Sequence, residues 1–517
     1  MKGRIFSWRN FHKWIGVVMA LFLIVFCVSG IILNHRAFFS RFDVPRCILP
    51  SDYRVKSYNN GIVRGTIALE DGRIVVYGNG VWLTEKTGTN WQDWSLGFPK
   101  GVDNRSVRNM VRTKDGALWC ATNFAVYRHN GTQWIDQNLS HNDERLTDLA
   151  LSPDSTYIVA LSRDAVYEMK SSGNVRKELK KSSNFEPKDF LFRTVWKLHS
   201  GEIFGIVGRL VVDAIAIVLI VLCVTGIVLF ILPYQIKWNR KREKKDSCRN
   251  SAKRMVWNQK WHNRFGFYAL IFTLFITITG TCLRPPLMIP LILGKTSPVN
   301  FSGNVWHDRL RAFRWDAVQN DWLISTSDGF LSVDRNFEKQ PVKIMGKTPM
   351  VSPMGVNVFR QQADSTWLIG SFSGLFIWNR QNGTITDYFG EKPQSGFSAM
   401  FSGHAVTGYS EDFGVKTSGD GLVFEYSTGA EELPAQPEVI ANVPMSLWHL
   451  GLELHVGRCY SPFLGPLSSL FVFIWGTLSV LVIVSGYIVY HRQQKKKKGR
   501  TAAVSFPQEK SHEESKA

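Results

Sequence analysis

Residues 12 to 30 read HKWIGVVMALFLIVFCVSG, and residues 262 to 280 read HNRFGFYALIFTLFITITG. Both stretches fit H-x(3)-G-x(13)-G, which sets His12, Gly16 and Gly30 against His262, Gly266 and Gly280, with Ser29 or Thr279 before the last glycine. Ile15 to Asn34 carries no charge over 20 residues and Phe265 to Leu283 none over 19. At ~1.5 Å per residue either run spans the ~30 Å of a bilayer core. Two further runs qualify, Leu210 to Leu232, interrupted only by Asp213, and Leu467 to Tyr490. These share a second signature: Leu198-His199-Ser200-Gly201 and Leu454-His455-Val456-Gly457 precede them, and Thr225-Gly226 and Ser485-Gly486 fall near their far ends. The membrane half therefore reads as a four-helix bundle of two duplicated helix pairs.

Charge gives the orientation. The chain of 517 residues has 62 Lys and Arg against 42 Asp and Glu, a net +20 that in a soluble protein points to nucleic acid. Nearly all the excess lies in residues 1 to 14, 237 to 264 and 491 to 500, each abutting an apolar run. That is the pattern of basic loops retained in the cytoplasm, so no nucleic-acid partner is expected and the lipid bilayer is. Both termini then lie inside, at the inner membrane of a bacterium, with two large loops in the periplasm. The first run is too long for a signal-peptide core and lacks a small-x-small cleavage site, and Cys27 follows Phe26 rather than a small residue.

The expected organisation is a cytoplasmic N-terminus and first pass over 1–36, a periplasmic β half over 37–195 and a second pass over 196–234. A basic cytoplasmic loop follows over 235–262, then a third pass over 263–295, the second β half over 296–445, the fourth pass over 446–491 and a basic tail over 492–517. No kinase or DNA-binding region is read after the last pass.

The loops carry short β-type runs broken by Gly, Asn and Asp turns. Four units stand out, at Val107 to Trp134, Leu146 to Met169, Leu310 to Val333 and Val356 to Trp378, with weaker copies from Ile62 and Ala405. A spacing of about 40 to 48 residues suits four-stranded blades. Three blades per loop leave open edges, so the loops are expected to combine into one all-β, propeller-like periplasmic domain of about six blades; two separate β-domains are the alternative. Trp119, Trp134 and Trp367 are expected in blade cores. The loop histidines His129, His141, His307 and His404 show no metal-ligand spacing. A single disulfide among Cys47, Cys120 and Cys459 is the most the cysteines allow.

On this topology His12 and His262 fall at the inner face with Gly226 and Gly486, and His199 and His455 at the outer face with Gly30 and Gly280. A b-type haem needs two facing imidazoles and a helix without bulk beside the macrocycle. Two haem b groups are thus expected, with His12, His262, His199 and His455 on the irons. His35 breaks the symmetry, its counterpart being Pro285, but is a substitute outer ligand. His449 and His491 read as interfacial anchors. Arg209 and Asp213 are spaced to pair on one helix face, and Arg209 or Arg458 are candidates for the haem propionates.

H-K-W-I-G, W-H-N-R-F-G, L-H-S-G and L-H-V-G resemble the PepSY-associated transmembrane family, whose members include di-haem inner-membrane reductases of ferric siderophores. The resemblance implies electron transfer from the cytoplasmic side to a periplasmic acceptor such as a ferric chelate or siderophore, hence a transmembrane ferric reductase. DGALWCATNFAVYRHNG resembles a two-component-regulator type of propeller repeat, which takes the place of a recognisable PepSY domain. With no G-x-G-x-x-G after a strand, the donor is expected to be quinol or a separate cytoplasmic reductase. The rival reading is a non-catalytic receptor or assembly factor with a ligand-binding propeller.

Overall fold

In the computed structural model, residues 7–140, 144–182, 188–299, 303–390, 404–415 and 421–504 are described, with side chains to 496. Lys2, Arg4, His141 and the tail from 505 lie outside them. The chain divides into a helical unit, residues 1–35, 188–299 and 451–517, and a β unit, residues 36–187 and 300–450.

The helical unit is built on α1 (Trp8–Asn34), α2 (Leu191–Ser200), α3 (Gly205–Lys241), α4 (Lys245–Tyr268), α5 (Leu270–Cys282), α6 (Leu447–His455, which enters it at Gly451) and α7 (Ser468–Val504). Ser7 caps α1, its hydroxyl accepting from the Asn10 amide at 3.4 Å. Three stretches are long and apolar enough to cross a membrane: Trp8–Asn34, Glu202–Lys241 and Arg458–Lys496. The expected third pass is not one straight helix: α4 and α5 meet at Ala269 with a bend of 67°, and they make a fourth crossing only when taken as a single span. α1 packs against α3 and α7, and α5 against α7. Leu21, Val207 and Ile271 are exposed by 61%, 65% and 77%, apolar surface that a bilayer rather than water covers.

Among the described residues the β unit holds five four-stranded antiparallel sheets and two two-stranded ones, the smaller of which pairs Asp43–Val44 with Met445–Ser446. The first comprises β1 (Val63–Ala68), β2 (Arg73–Gly78), β3 (Val81–Glu85) and β4 (Gln92–Asp93). The second comprises β5 (Val107–Arg112), β6 (Leu118–Thr122), β7 (Val126–His129) and β8 (Trp134–Asp136). The third comprises β9 (Leu146–Leu151), β10 (Ile158–Ser162), β11 (Val166–Lys170) and β12 (Gly173–Lys177). After the helical insertion come β13 (Leu310–Asp316), β14 (Asp321–Thr326), β15 (Gly329–Val333) and β16 (Val342–Lys343), then β17 (Val358–Ala363), β18 (Thr366–Ser371), β19 (Gly374–Asn379) and β20 (Ile385–Asp387). The larger two-stranded sheet is β21 (Val406–Ser410) with β22 (Leu422–Glu425). Each of the four well-marked sequence repeats supplies the leading strands of one four-stranded sheet.

Neighbouring sheets meet through their first strands: β1 lies on β5, β5 on β9, β9 on β13, β13 on β17, β17 on β21, and β21 on β1. Between the last two, the Thr66 and Ser410 hydroxyls are 2.7 Å apart. The cores are shared in the same way. Ile62, Val63 and Trp82 pack with Phe413, Phe424 and Ile440, and Val159 and Val166 pack with Trp306, Phe313 and Trp322. The two loops therefore make one compact unit, not two separate β-domains. Trp134 and Trp367 are fully buried in it, whereas Trp119 is part-exposed beneath the Arg128 guanidinium at 5.6 Å. All seven cysteines are free, so the single disulfide is absent; Cys120 is buried and Cys47 exposed, which keeps those thiols apart in environment.

Candidate functional site: two histidine pairs in the helical unit

The L-H-x-G motif is a helix stop. Gly201 ends α2 at φ 76°, and Gly457, just beyond α6, has φ 80°. Only glycine adopts this left-handed conformation at little cost, and the stop leaves His199 and His455 in the last turn of their helices. His12 stands in the first two turns of α1 and His262 near the end of α4.

Each histidine docks on another helix at a Ser-Gly or Thr-Gly step. The glycines, expected to clear a macrocycle, lie against imidazoles. A Cβ on Gly280 would fall 2.7 Å from His199 Cε1, and one on Gly486 2.8 Å from His12 Cε1. The corresponding figures are 3.3 Å for Gly30 and His455, and 3.5 Å for Gly226 and His262.

The hydroxyl beside each glycine fixes the imidazole. His12 Nδ1 is 3.0 Å from the Val482 carbonyl and 3.1 Å from Ser485 Oγ. His455 Nδ1 is 3.0 Å from both the Phe26 carbonyl and Ser29 Oγ. His199 Nδ1 is 3.1 Å from the Ile276 carbonyl and from Thr279 Oγ1. His262 Nδ1 is 2.9 Å from Thr225 Oγ1. Ser485, Ser29 and Thr279 donate their own protons to the same carbonyls the imidazoles use, and Thr225 donates to the Val221 and Leu222 carbonyls. A carbonyl only accepts, and a hydroxyl oxygen that has given its proton to a carbonyl also accepts. Nδ1 therefore carries the proton in all four rings, and Nε2 keeps its lone pair. This is the tautomer and the outer-shell bonding of a metal-ligating imidazole.

The rings meet in two pairs. His12 and His262 are 6.2 Å apart between centroids, and His199 and His455 are 6.0 Å apart. A direct hydrogen bond between two imidazoles gives ~5 Å and needs a proton that two Nδ1-H tautomers do not have. One iron held by both rings at ~2 Å gives ~6.3 Å. Among the described residues no group of three or more His, Cys, Asp or Glu is placed to hold a bare metal ion. Two imidazoles without other donors suit an iron whose remaining positions a porphyrin fills.

Other expectations resolve differently. His35 is not with the outer pair: its Nε2 is 2.6 Å from Asp213, to which Asn34 also donates at 3.0 Å. Asp213 thus takes its partners from the end of α1 and not from Arg209, which lies 3.7 Å from Glu202. Arg458 forks onto buried Glu453 at 2.5 and 3.1 Å. The buried Nε of Arg284, which sequence reading passed over, has no hydrogen-bond partner among the described residues. His491 stacks near Tyr487 at 5.9 Å. In the β unit His307 and His404 pair with Asp164 and Glu425 at 2.6 and 2.9 Å, and His129 lies on the Trp94 ring at 4.0 Å.

The family described as the PepSY-associated TM region matches residues 2–232 and again residues 162–493. No curated protein matches the sequence. Among solved structures, one described as the extracellular domain of a one-component system of B. thetaiotaomicron is 10% identical, with a TM-score of 0.33, over 77% of this chain and 38% of that one. Another, described as the extracellular domain of a hybrid two-component system of the same organism, is 9% identical with a TM-score of 0.30, over 72% of this chain and 39% of that one. This chain thus spans about two fifths of the length of those two structures.

Proposed function

This chain belongs to the family of PepSY-associated TM regions, and from that premise we propose that it is a di-haem electron-transfer protein of the bacterial inner membrane. The observation that carries the reading is the fourfold recurrence of one arrangement, an Nδ1-H imidazole held by a hydroxyl and seated on glycine, in two facing pairs at 6.2 and 6.0 Å. His12 and His262 would hold one haem b and His199 and His455 the other. A bound haem supplies one-electron exchange at iron. The chain's part is to present four Nε2 lone pairs, to lock each ring through its Nδ1 proton, and to keep water from the sites with apolar helices.

The spacing supports passage across a bilayer. Gly30, which marks the second pair, lies 18 residues beyond His12 on the same helix, an axial rise of ~27 Å against a ~30 Å hydrocarbon core. The basic segments favour termini in the cytoplasm and a periplasmic β unit. The cyclic contact of first strands, β21 returning to β1, supports reading the six sheets as a propeller split over two loops. Electrons would enter from quinol or a separate cytoplasmic reductase and leave to a periplasmic acceptor, a ferric chelate or siderophore in the first instance.

The test is a dithionite-reduced minus oxidised spectrum of the detergent-purified protein with a pyridine haemochrome assay. Two b haems per chain are expected, falling to one in His12→Ala and in His199→Ala. Absence of haem in protein from cells that load another b-type cytochrome would overturn the proposal and leave the receptor reading. Unchanged haem content in both variants would overturn the ligand assignment.

A further inference from the structure

Two adjoining cavities of about 260 and 150 Å³ open among the first strands of the β unit, and both are lined by Arg64, Arg108 and Asn357. Six arginines line the two together, against two aspartates. Four of the six are accounted for. Arg36 forks onto Asp103 at 2.8 and 2.6 Å, and Arg314 bonds Asp148 at 2.6 Å. Arg360 bonds Glu411 at 2.7 Å, and Arg46 donates to the Val443 and Tyr53 carbonyls at 2.9 and 2.6 Å.

Arg64 and Arg108 are different. Arg64 donates to Asn357 Oδ1 at 3.2 Å, and its Nε is buried with no partner among the described residues. Arg108 donates through Nε and Nη2 to one oxygen, Asn123 Oδ1, at 2.8 and 2.6 Å. Neither has a carboxylate partner among the described residues. A guanidinium has five N-H donors and a charge that burial does not remove, so each keeps unspent donors and an uncompensated charge beside the cavity. Burial pushes the Arg64 guanidinium down to about 10, with Arg36 adding to the drop. Arg108 is pushed down by burial and by the nearby charges of Arg64, Arg36 and Arg163, against a smaller opposing pull from Asp103, which Arg36 already engages. A folded protein tolerates such a cluster when a counter-charge completes it.

We infer that the β unit binds a small multivalent oxyanion, carboxylate or phosphate in type, between Arg64 and Arg108. Planar guanidinium forks match the two oxygens of a carboxylate or phosphate edge. Asn109 and Asn357 line the larger cavity as neutral donors, but their amide groups already donate to the Leu149 and Val406 carbonyls at 2.7 and 2.8 Å. The arginines therefore carry the recognition. About 260 Å³ accommodates an anion of citrate size. Nothing in this assignment depends on haem, and it holds or fails separately from electron transfer.

The full-length protein in detergent, in Hepes with sodium methanesulfonate as the only salt, is titrated with citrate and with inorganic phosphate. Calorimetry and thermal unfolding are the readouts. One saturable site and a raised unfolding temperature are expected, with citrate tighter than phosphate for a carboxylate ligand and the reverse for a phosphate ligand. Arg64→Gln and Arg108→Gln should each weaken binding at least tenfold, while Arg335→Gln at the surface leaves it unchanged. In the absence of anion both cavity variants should unfold no lower than the parent, because a buried uncompensated charge has been removed. Saturation by neither anion, affinity unchanged in both variants, or a lower anion-free unfolding temperature in both would overturn the assignment; the last would make the arginines structural.

Discussion

At Gly280 the space for one methyl group decides whether His199 keeps its seat. The four glycines under the imidazoles form a graded series, with Cβ clearances of 2.7 Å at Gly280, 2.8 Å at Gly486, 3.3 Å at Gly30 and 3.5 Å at Gly226. Gly280→Ala and Gly486→Ala are expected to displace His199 and His12 and to lose one haem each, while Gly226→Ala keeps both; haem per chain by pyridine haemochrome checks the series. The histidines were legible in the sequence because duplication set them at matched positions. The role of Ser29, Thr225, Thr279 and Ser485 was not, because a hydroxyl next to glycine on an apolar helix also reads as packing, and its partner lies on another helix. His35 shows the opposite limit. Its spacing from His12 put it at the level of the outer pair, but the rotation of α1 turns it to Asp213.

At the scale of elements, apolar runs gave the helices and turn chemistry gave the strands. The break at Ala269 left no mark, since Phe265 to Leu270 holds no proline and the uncharged run continues through it. The sheets were legible because each repeat puts an aromatic strand after a polar turn, often Asp-Gly or Asp-Ser. Trp322 shows what such an aromatic does. It is fully buried, stacks on Phe313 and Phe337 at centroid distances of 5.0 and 5.3 Å, and donates through Nε1 to the Arg335 carbonyl at 3.1 Å. Trp322→Ala is expected to cost ~3–5 kcal/mol, read as a lower midpoint in denaturant titration of the purified protein, with the haem spectrum retained at low denaturant.

For the whole molecule, orientation rests on charge asymmetry, and two thiols test it. Cys47 is exposed in the β unit, and Cys248 lies part-exposed in α4 among basic residues. In intact spheroplasts a membrane-impermeant maleimide is expected to label Cys47 and leave Cys248 unlabelled until the cells are lysed, each scored in a variant with the other six cysteines replaced by serine. Labelling in the opposite order would invert the topology. That the two loops combine was expected from their open edges, but the contact that joins first sheet to last was not legible. It is made by side chains such as Thr66 and Ser410, brought together only when all the intervening sheets are in place.

The shared cores also impose an order on biogenesis. Residues 36–187 leave the ribosome before residues 300–450, and their apolar faces, Ile62 and Trp82 at one edge and Val159 and Val166 at the other, are covered by Phe413, Phe424, Trp306 and Phe313 from the later segment. The intervening helices must be made and inserted first, which at ~5–20 residues per second takes on the order of ten seconds. For that interval the nascent half-domain carries adhesive flanks with no mate, the kind of exposed apolar surface that makes an incomplete fold prone to aggregation.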